Sequence, residues 1–131
     1  MTASGASDHL QPLTHAASRL ALNGMPNAVV HRAKQRVLDT LGCLVAGYDG
    51  GIADDIRAWV AEQGGAAQAT LLPHGAKTSA SLAAFAHASY MYGLELTDAA
   101  PRGTVHPGCE IVSAALAMAE RCGSGGPALI A

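Results

Sequence analysis

Aromatic side chains are scarce in this chain, with one Phe, one Trp and three Tyr making up 4% of 131 residues. Charge is scarce too, at 14%, and it nearly cancels: 8 Lys and Arg against 10 Asp and Glu leave a formal charge of −2. No run of Lys or Arg occurs, which argues against nucleic acid as the main ligand and against a polybasic membrane patch. No segment offers the roughly 18 to 20 uninterrupted apolar residues of a membrane span. The first eight residues are small, polar and acidic, without the basic start and apolar stretch of a secretory signal. Three cysteines, Cys43, Cys109 and Cys122, are odd in number and widely spaced, so they form neither a disulfide framework nor a zinc pattern. A reducing compartment fits them best, and the chain reads as soluble and cytoplasmic.

What is abundant is small apolar mass. Half of the residues are hydrophobic, mostly Ala, Leu and Val, which excludes disorder as the main state. The length suits one domain, and the low charge hints at surface that a partner or further sequence covers.

Five helices are expected, joined by short turns in an all-α bundle. The first places Leu10, Leu13, Ala17 and Leu20 at helical spacing, with Asp8 as a possible N-cap. Asn23-Gly24-Met25-Pro26 breaks it. The second runs from Asn27 to about Ala46 with Val30, Val37, Leu38, Leu41, Leu44 and Val45 on one stripe. A third spans about Ile52 to Gln63, sharing Ile56, Trp59 and Val60 on a face, with Asp54 and Asp55 in its first turn. Thr78 or Ser79 caps a fourth to about Tyr92, and a fifth starts near Pro107 and carries Ile111, Val112, Ala115, Leu116 and Ala119 inward. The one β-like run is Ala69 to Leu72, ahead of the turn His74-Gly75. Pro127 to Ala131 reads as the opening turn of another apolar helix, cut short. The expected organisation is therefore an N-terminal helix and turn over 1–26 and a partial helical domain over 27–131, truncated at its C-terminus.

Reactive side chains are densest between Glu95 and His106, the loop joining the fourth and fifth helices, and loops carry function more often than helix faces do. Glu95 and Asp98 stand three residues apart; if the helix persists that far, both carboxylates point one way and mutual repulsion raises one pKa. His106 precedes Pro107 at a helix start, where unpaired N–H groups form an anion site for a substrate carboxylate, with Arg102 as a forked partner. The plainer alternative makes Asp98 and Thr104 turn and cap residues, Glu95 a helix end and His106 a hydrogen-bonded loop residue. His31, His74 and His87 have no partners at metal-site spacing, so no metal is expected. The paired glycines lack a following Lys-Ser/Thr and so are no phosphate cradle. The cysteines serve as small hydrophobes, and Trp59 and Phe85 as core anchors.

Three ordered stretches carry a resemblance. Ala33-Lys34, Leu38-Asp39-Thr40-Leu41-Gly42-Cys43 and Ala46-Gly47 are similar to an "AK…LDTLGC…AG" helix. Gly93-Leu94-Glu95-Leu96-Thr97-Asp98 is similar to a "HALDFDD" or "HALELDD" segment, and Val105-His106-Pro107-Gly108 followed by Ile111 to Glu120 is similar to "HPG…VVPAALALAE". Together they resemble the N-terminal part of the MmgE/PrpD family, which includes 2-methylcitrate dehydratase and cis-aconitate decarboxylase. The resemblance implies a mostly helical domain, usually homodimeric, acting on a small di- or tricarboxylate without metal or organic cofactor. It transfers catalytic roles to Glu95, Asp98 and His106, with Arg102 and Thr104 as substrate-binding candidates. Glu95 stands where the family often has Asp, Thr97 where it has a second acid, and Tyr92 where it often has His. A non-catalytic helical association module, keeping the fold and dimer surface without turnover, is the alternative.

Overall fold

The structure is a computed structural model that describes residues 10–100 and 103–131. It is mostly helical: α1 (Leu10–Ser18), α2 (Asn27–Tyr48), α3 (Ala53–Gln63), α4 (Ala80–Tyr92), α5 (Ser113–Cys122) and the short α6 (Gly126–Ile130). The proposed Asp8 cap lies outside the described residues. Ser79 caps α4, its Oγ accepting from the Leu82 N–H at 3.3 Å. Gly123 ends α5 in the left-handed conformation at φ 64°.

Alanine and glycine set the geometry of the core. Helix α4 is the central element, burying Ala80, Ala83, Ala86, His87, Tyr90 and Met91 against α2, α3 and α5. Small side chains let helix axes approach closely, and at the α2–α4 crossing Gly47 lies directly under the Tyr90 carbonyl. On α2 the buried stripe is Thr40, Leu44 and Gly47, spaced by four and three residues. Leu38 and Val45, expected on the inner stripe, are 72% and 54% exposed. The reason is that α2 is apolar on more than one side, and only the side with the small residues fits against α4.

Two further expectations are corrected. Trp59 and Phe85 are not core anchors; they are 43% and 46% exposed and pack on each other, ring centroids 5.1 Å apart, on the outer edge of α3 and α4. The fifth helix presents a rotated face. It opens with a π turn, Gly108–Val112, before becoming α-helical, and the wider turn shifts its phase. Gly108, Cys109, Ser113 and Ala117 are buried while Ile111 is 64% exposed.

A small antiparallel hairpin adds to the helices. Ala69–Leu71 (β1) pairs with Ala76–Thr78 (β2), Thr70 opposite Lys77. The carboxylate of Glu120 on α5 clamps it, taking hydrogen bonds from the Thr70 N–H at 2.7 Å and the Thr70 hydroxyl at 2.6 Å and an ion pair from Lys77 at 3.0 Å. These three contacts hold the Glu120 carboxyl down to about pKa 2. Among the described residues no helix is long and apolar enough to cross a membrane.

Candidate functional site

The loop after α4 folds back so that its two ends meet. Helix α4 stops at Tyr92, and Glu95 takes a left-handed φ of 54°, which turns the chain away from the helical path. The two carboxylates therefore do not share a helix face, because the helical three-residue spacing ends before Glu95. A narrow bridge then closes the loop, with the Ala100 N–H donating to the Val105 carbonyl at 2.9 Å and the Thr104 N–H to the Ala100 carbonyl at 3.0 Å. Thr104, also left-handed at φ 52°, sits at its tip and is exposed. Arg102 lies outside the described residues.

Closure brings Thr97, Asp98 and His106 together. The His106 Nδ1 lies 2.9 Å from the Asp98 backbone carbonyl and 3.1 Å from the Thr97 hydroxyl. A carbonyl only accepts, so Nδ1 carries a proton and the neutral ring keeps its lone pair on Nε2. Tyr92 meets the ring edge-on, centroids 6.2 Å apart. His106 is half-buried and Glu95 is exposed.

The Asp98 side chain points the other way, into the protein. Its Oδ1 accepts a 2.7 Å hydrogen bond from the Gly108 N–H, and its Oδ2 lies 3.9 Å from Arg36 Nη1 on α2. The side chain is 8% exposed. The helix start expected to receive a substrate carboxylate is thus engaged by a carboxylate of the chain itself. The physical logic of an anion at unpaired N–H groups holds, but the occupant is Asp98. The fit demands glycine: a Cβ on Gly108 would stand 2.5 Å from Asp98 Oδ1 and 2.8 Å from the Thr40 hydroxyl.

Behind Asp98 the packing is closed. The gap lined by Thr40, Cys43, Met91, Thr97, Asp98 and Cys109 is too narrow for a water molecule. Cys43 reaches the Leu96 carbonyl at 3.5 Å and Cys109 the His106 carbonyl at 3.1 Å. Burial raises both thiols above their ordinary range, and Asp39 and Asp98 push Cys43 further while Glu110 pushes Cys109. Both are protonated fastenings of the loop. Among the described residues no group of three or more His, Cys, Asp or Glu could hold a metal ion.

Sequence reasoning missed Arg36 and Thr40, which sit two turns and one turn of helix before Leu44 and face the loop, and the pairing of Thr97 with His106. The signal for the first two was the Thr40, Leu44, Gly47 spacing, hidden by the more apolar residues beside it.

Fold and site together define a helical domain that fastens one acid-and-imidazole loop onto the start of a helix. The chain belongs to the MmgE/PrpD family: the model of the MmgE/PrpD N-terminal domain matches residues 11–131. No curated protein and no solved structure matches it significantly.

Proposed function

We propose that the chain supplies the proton-transfer loop of a lyase that removes water or carbon dioxide from a small di- or tricarboxylate, or epimerises one. The observation that carries this reading is the hydrogen bond between His106 Nδ1 and the Asp98 carbonyl, which leaves Nε2 as an oriented base. In a dehydration, Nε2 takes the proton on the carbon next to a carboxylate, the C–H electrons form the double bond, and the hydroxyl leaves with a proton from an acid. In a decarboxylation the C–CO₂ bond breaks, CO₂ leaves, and the electron pair left on carbon takes a proton from Nε2 of a His106 that enters the step as the imidazolium. His106 is favoured over Asp98 as the base because Asp98 Oδ1 is already engaged by Gly108. Asp98 then positions His106 through its backbone carbonyl, Glu95 supports from the outer side, and Arg102 and Thr104 hold substrate charge. Proton transfer needs no cofactor in this scheme, and free thiols at Cys43, Cys109 and Cys122 suit a cytoplasmic setting.

In the natural full-length protein, His106→Ala should lower turnover of the accepted di- or tricarboxylate by about 10²- to 10⁴-fold. Turnover unchanged across a panel of such acids, with the helical circular dichroism retained, overturns the assignment.

A non-catalytic association module is favoured by a different observation. Leu38, Leu96 and Ile111 are 72%, 70% and 64% exposed, apolar side chains that an association interface would cover. A homodimer is compatible with both readings, and a monomer in sedimentation at micromolar concentration counts against the association reading.

A further inference from the structure

We propose that the groove between α2 and α6 binds the anion of a medium-chain fatty acid, with the alkyl chain along the groove and the carboxylate at Lys34. The groove is about 440 Å³ in volume, within the range of about 300–1,000 Å³ typical of small-molecule sites. None of its lining belongs to the His106 loop, so the inference stands apart from the function proposed above.

Helical spacing builds one wall. Val30, Val37 and Leu41 of α2 stand seven and four residues apart and so share a face, and Lys34 falls on that face, four residues after Val30 and four before Leu38. The other wall comes from Leu129 and Ile130 of α6, with Leu22 from the turn ahead of α2. These aliphatic side chains are only half-buried and Leu38 is exposed, so apolar area inside the groove still meets water and its cover by an alkyl chain is favourable. The lining holds no aromatic ring and no hydroxyl or amide side chain, so nothing along the walls rewards a planar or polar ligand body.

Lys34 sets the sign of the head group. It is the one charged side chain in the lining, it is exposed, and its ammonium has no ion pair or hydrogen bond among the described residues. The positions three and four residues away on α2 are Val30, His31, Val37 and Leu38, so no acid competes for it there. A lysine stem lies along apolar surface while its ammonium stays at the water's edge. A ligand carboxylate therefore pairs with Lys34 without leaving water, and the desolvation that penalises buried ion pairs does not arise. From Lys34 to Leu41 is two helical turns, about 10 Å, a length that the extended chain of octanoate matches. Short dicarboxylates such as succinate have no alkyl body to place there, which separates this groove from the proposed lyase site.

The test is titration of the full chain with octanoate below its micelle-forming concentration, followed through the methyl chemical shifts of Leu41 and Leu129, one on each wall. Saturable binding with a Kd of about 1 mM or tighter is expected. Hexanoate should bind about tenfold more weakly, because each methylene lost from apolar contact costs about three- to fourfold. Lys34→Glu should weaken octanoate by about fivefold or more and leave octanol binding unchanged, which isolates the charge. Leu38→Ser changes an exposed residue, so the fold is kept, and it should weaken octanoate and octanol alike by about threefold. His106→Ala should leave octanoate binding unchanged, so this site and the catalytic reading fail separately. The proposal is overturned if octanoate fails to saturate, as it would were the groove filled by a second copy of the chain, if hexanoate binds as tightly, or if Lys34→Glu binds octanoate as the native protein does.

Discussion

Asp98 and Gly108, ten positions apart in the chain, are joined by a 2.7 Å hydrogen bond from the glycine N–H to the carboxylate, and no side chain larger than hydrogen fits between them. The loop that holds His106 is bounded by this contact. Substitution at either end should therefore loosen the site and the fold together.

Gly108→Ala places a methyl group against Asp98 and Thr40. Overpacking of this kind costs about 1–3 kcal/mol, and urea unfolding should show that loss with an unchanged m-value. Asp98→Asn at the same contact should cost about 1–2 kcal/mol, since a hydrogen bond to a buried charge is replaced by a neutral one. A Gly108→Ala protein as stable as the native one would mean the helix start can move away from Asp98.

Gly47→Ala is expected to be the more damaging change. Its methyl group would meet the Tyr90 carbonyl, and a backbone cannot rotate aside as a side chain can. Helices α2 and α4 must then separate, costing about 3 kcal/mol or more. Thermal unfolding reads the result, and a melting temperature within a degree or two of the native protein contradicts the close crossing.

Two groups give stability a pH dependence, in separate windows. His87 is 2% exposed and its Nε2 accepts from the Leu72 N–H at 3.0 Å. Burial lowers its pKa below 6.5, against weaker upward pulls from its hydrogen bond near Thr70 and from Glu120. The unfolded chain thus binds the proton more readily, so the His87 contribution is complete above about pH 6.5 and drains away as the pH falls below it. Glu120, with its pKa lowered to about 2, acts further down: its contribution is present above pH 4.5 and is lost between there and 2. Its side chain is 36% exposed, so solvent screening reduces that contribution to about 1 kcal/mol. Chemical denaturation across pH 7 to 3 should show the first loss absent in His87→Phe and the second absent in Glu120→Gln. Coincident curves for native and variant proteins would remove these groups as the cause.

Much of the helical architecture was legible in the sequence, because caps and breakers are local. Ser79 and the glycines after Gln63 and Cys122 mark boundaries where the structure has them, and Pro26 directly precedes α2, whereas α1 ends at Ser18, ahead of the expected break, leaving Leu20 outside it. Faces were read less well. On α2, Leu38 and Val45 look like core by hydrophobicity, yet Thr40 and Gly47 are inside, since closeness to α4 rewards small volume over apolar area. On α5 a helical count from Pro107 turns Ile111 inward, and the π turn that rotates it leaves no clear mark in residue types. The site was legible as a cluster, and the meeting of Thr97, Asp98 and His106 followed from the loop closing. Its orientation was not, because nothing in one sequence says that Asp98 turns inward onto Gly108 while Glu95 turns out.

Trp59 is the sole tryptophan of the chain and rests against Phe85 across the seam between α3 and α4. Its indole emission is therefore a built-in optical gauge of whether those two helices remain docked, free of any attached dye.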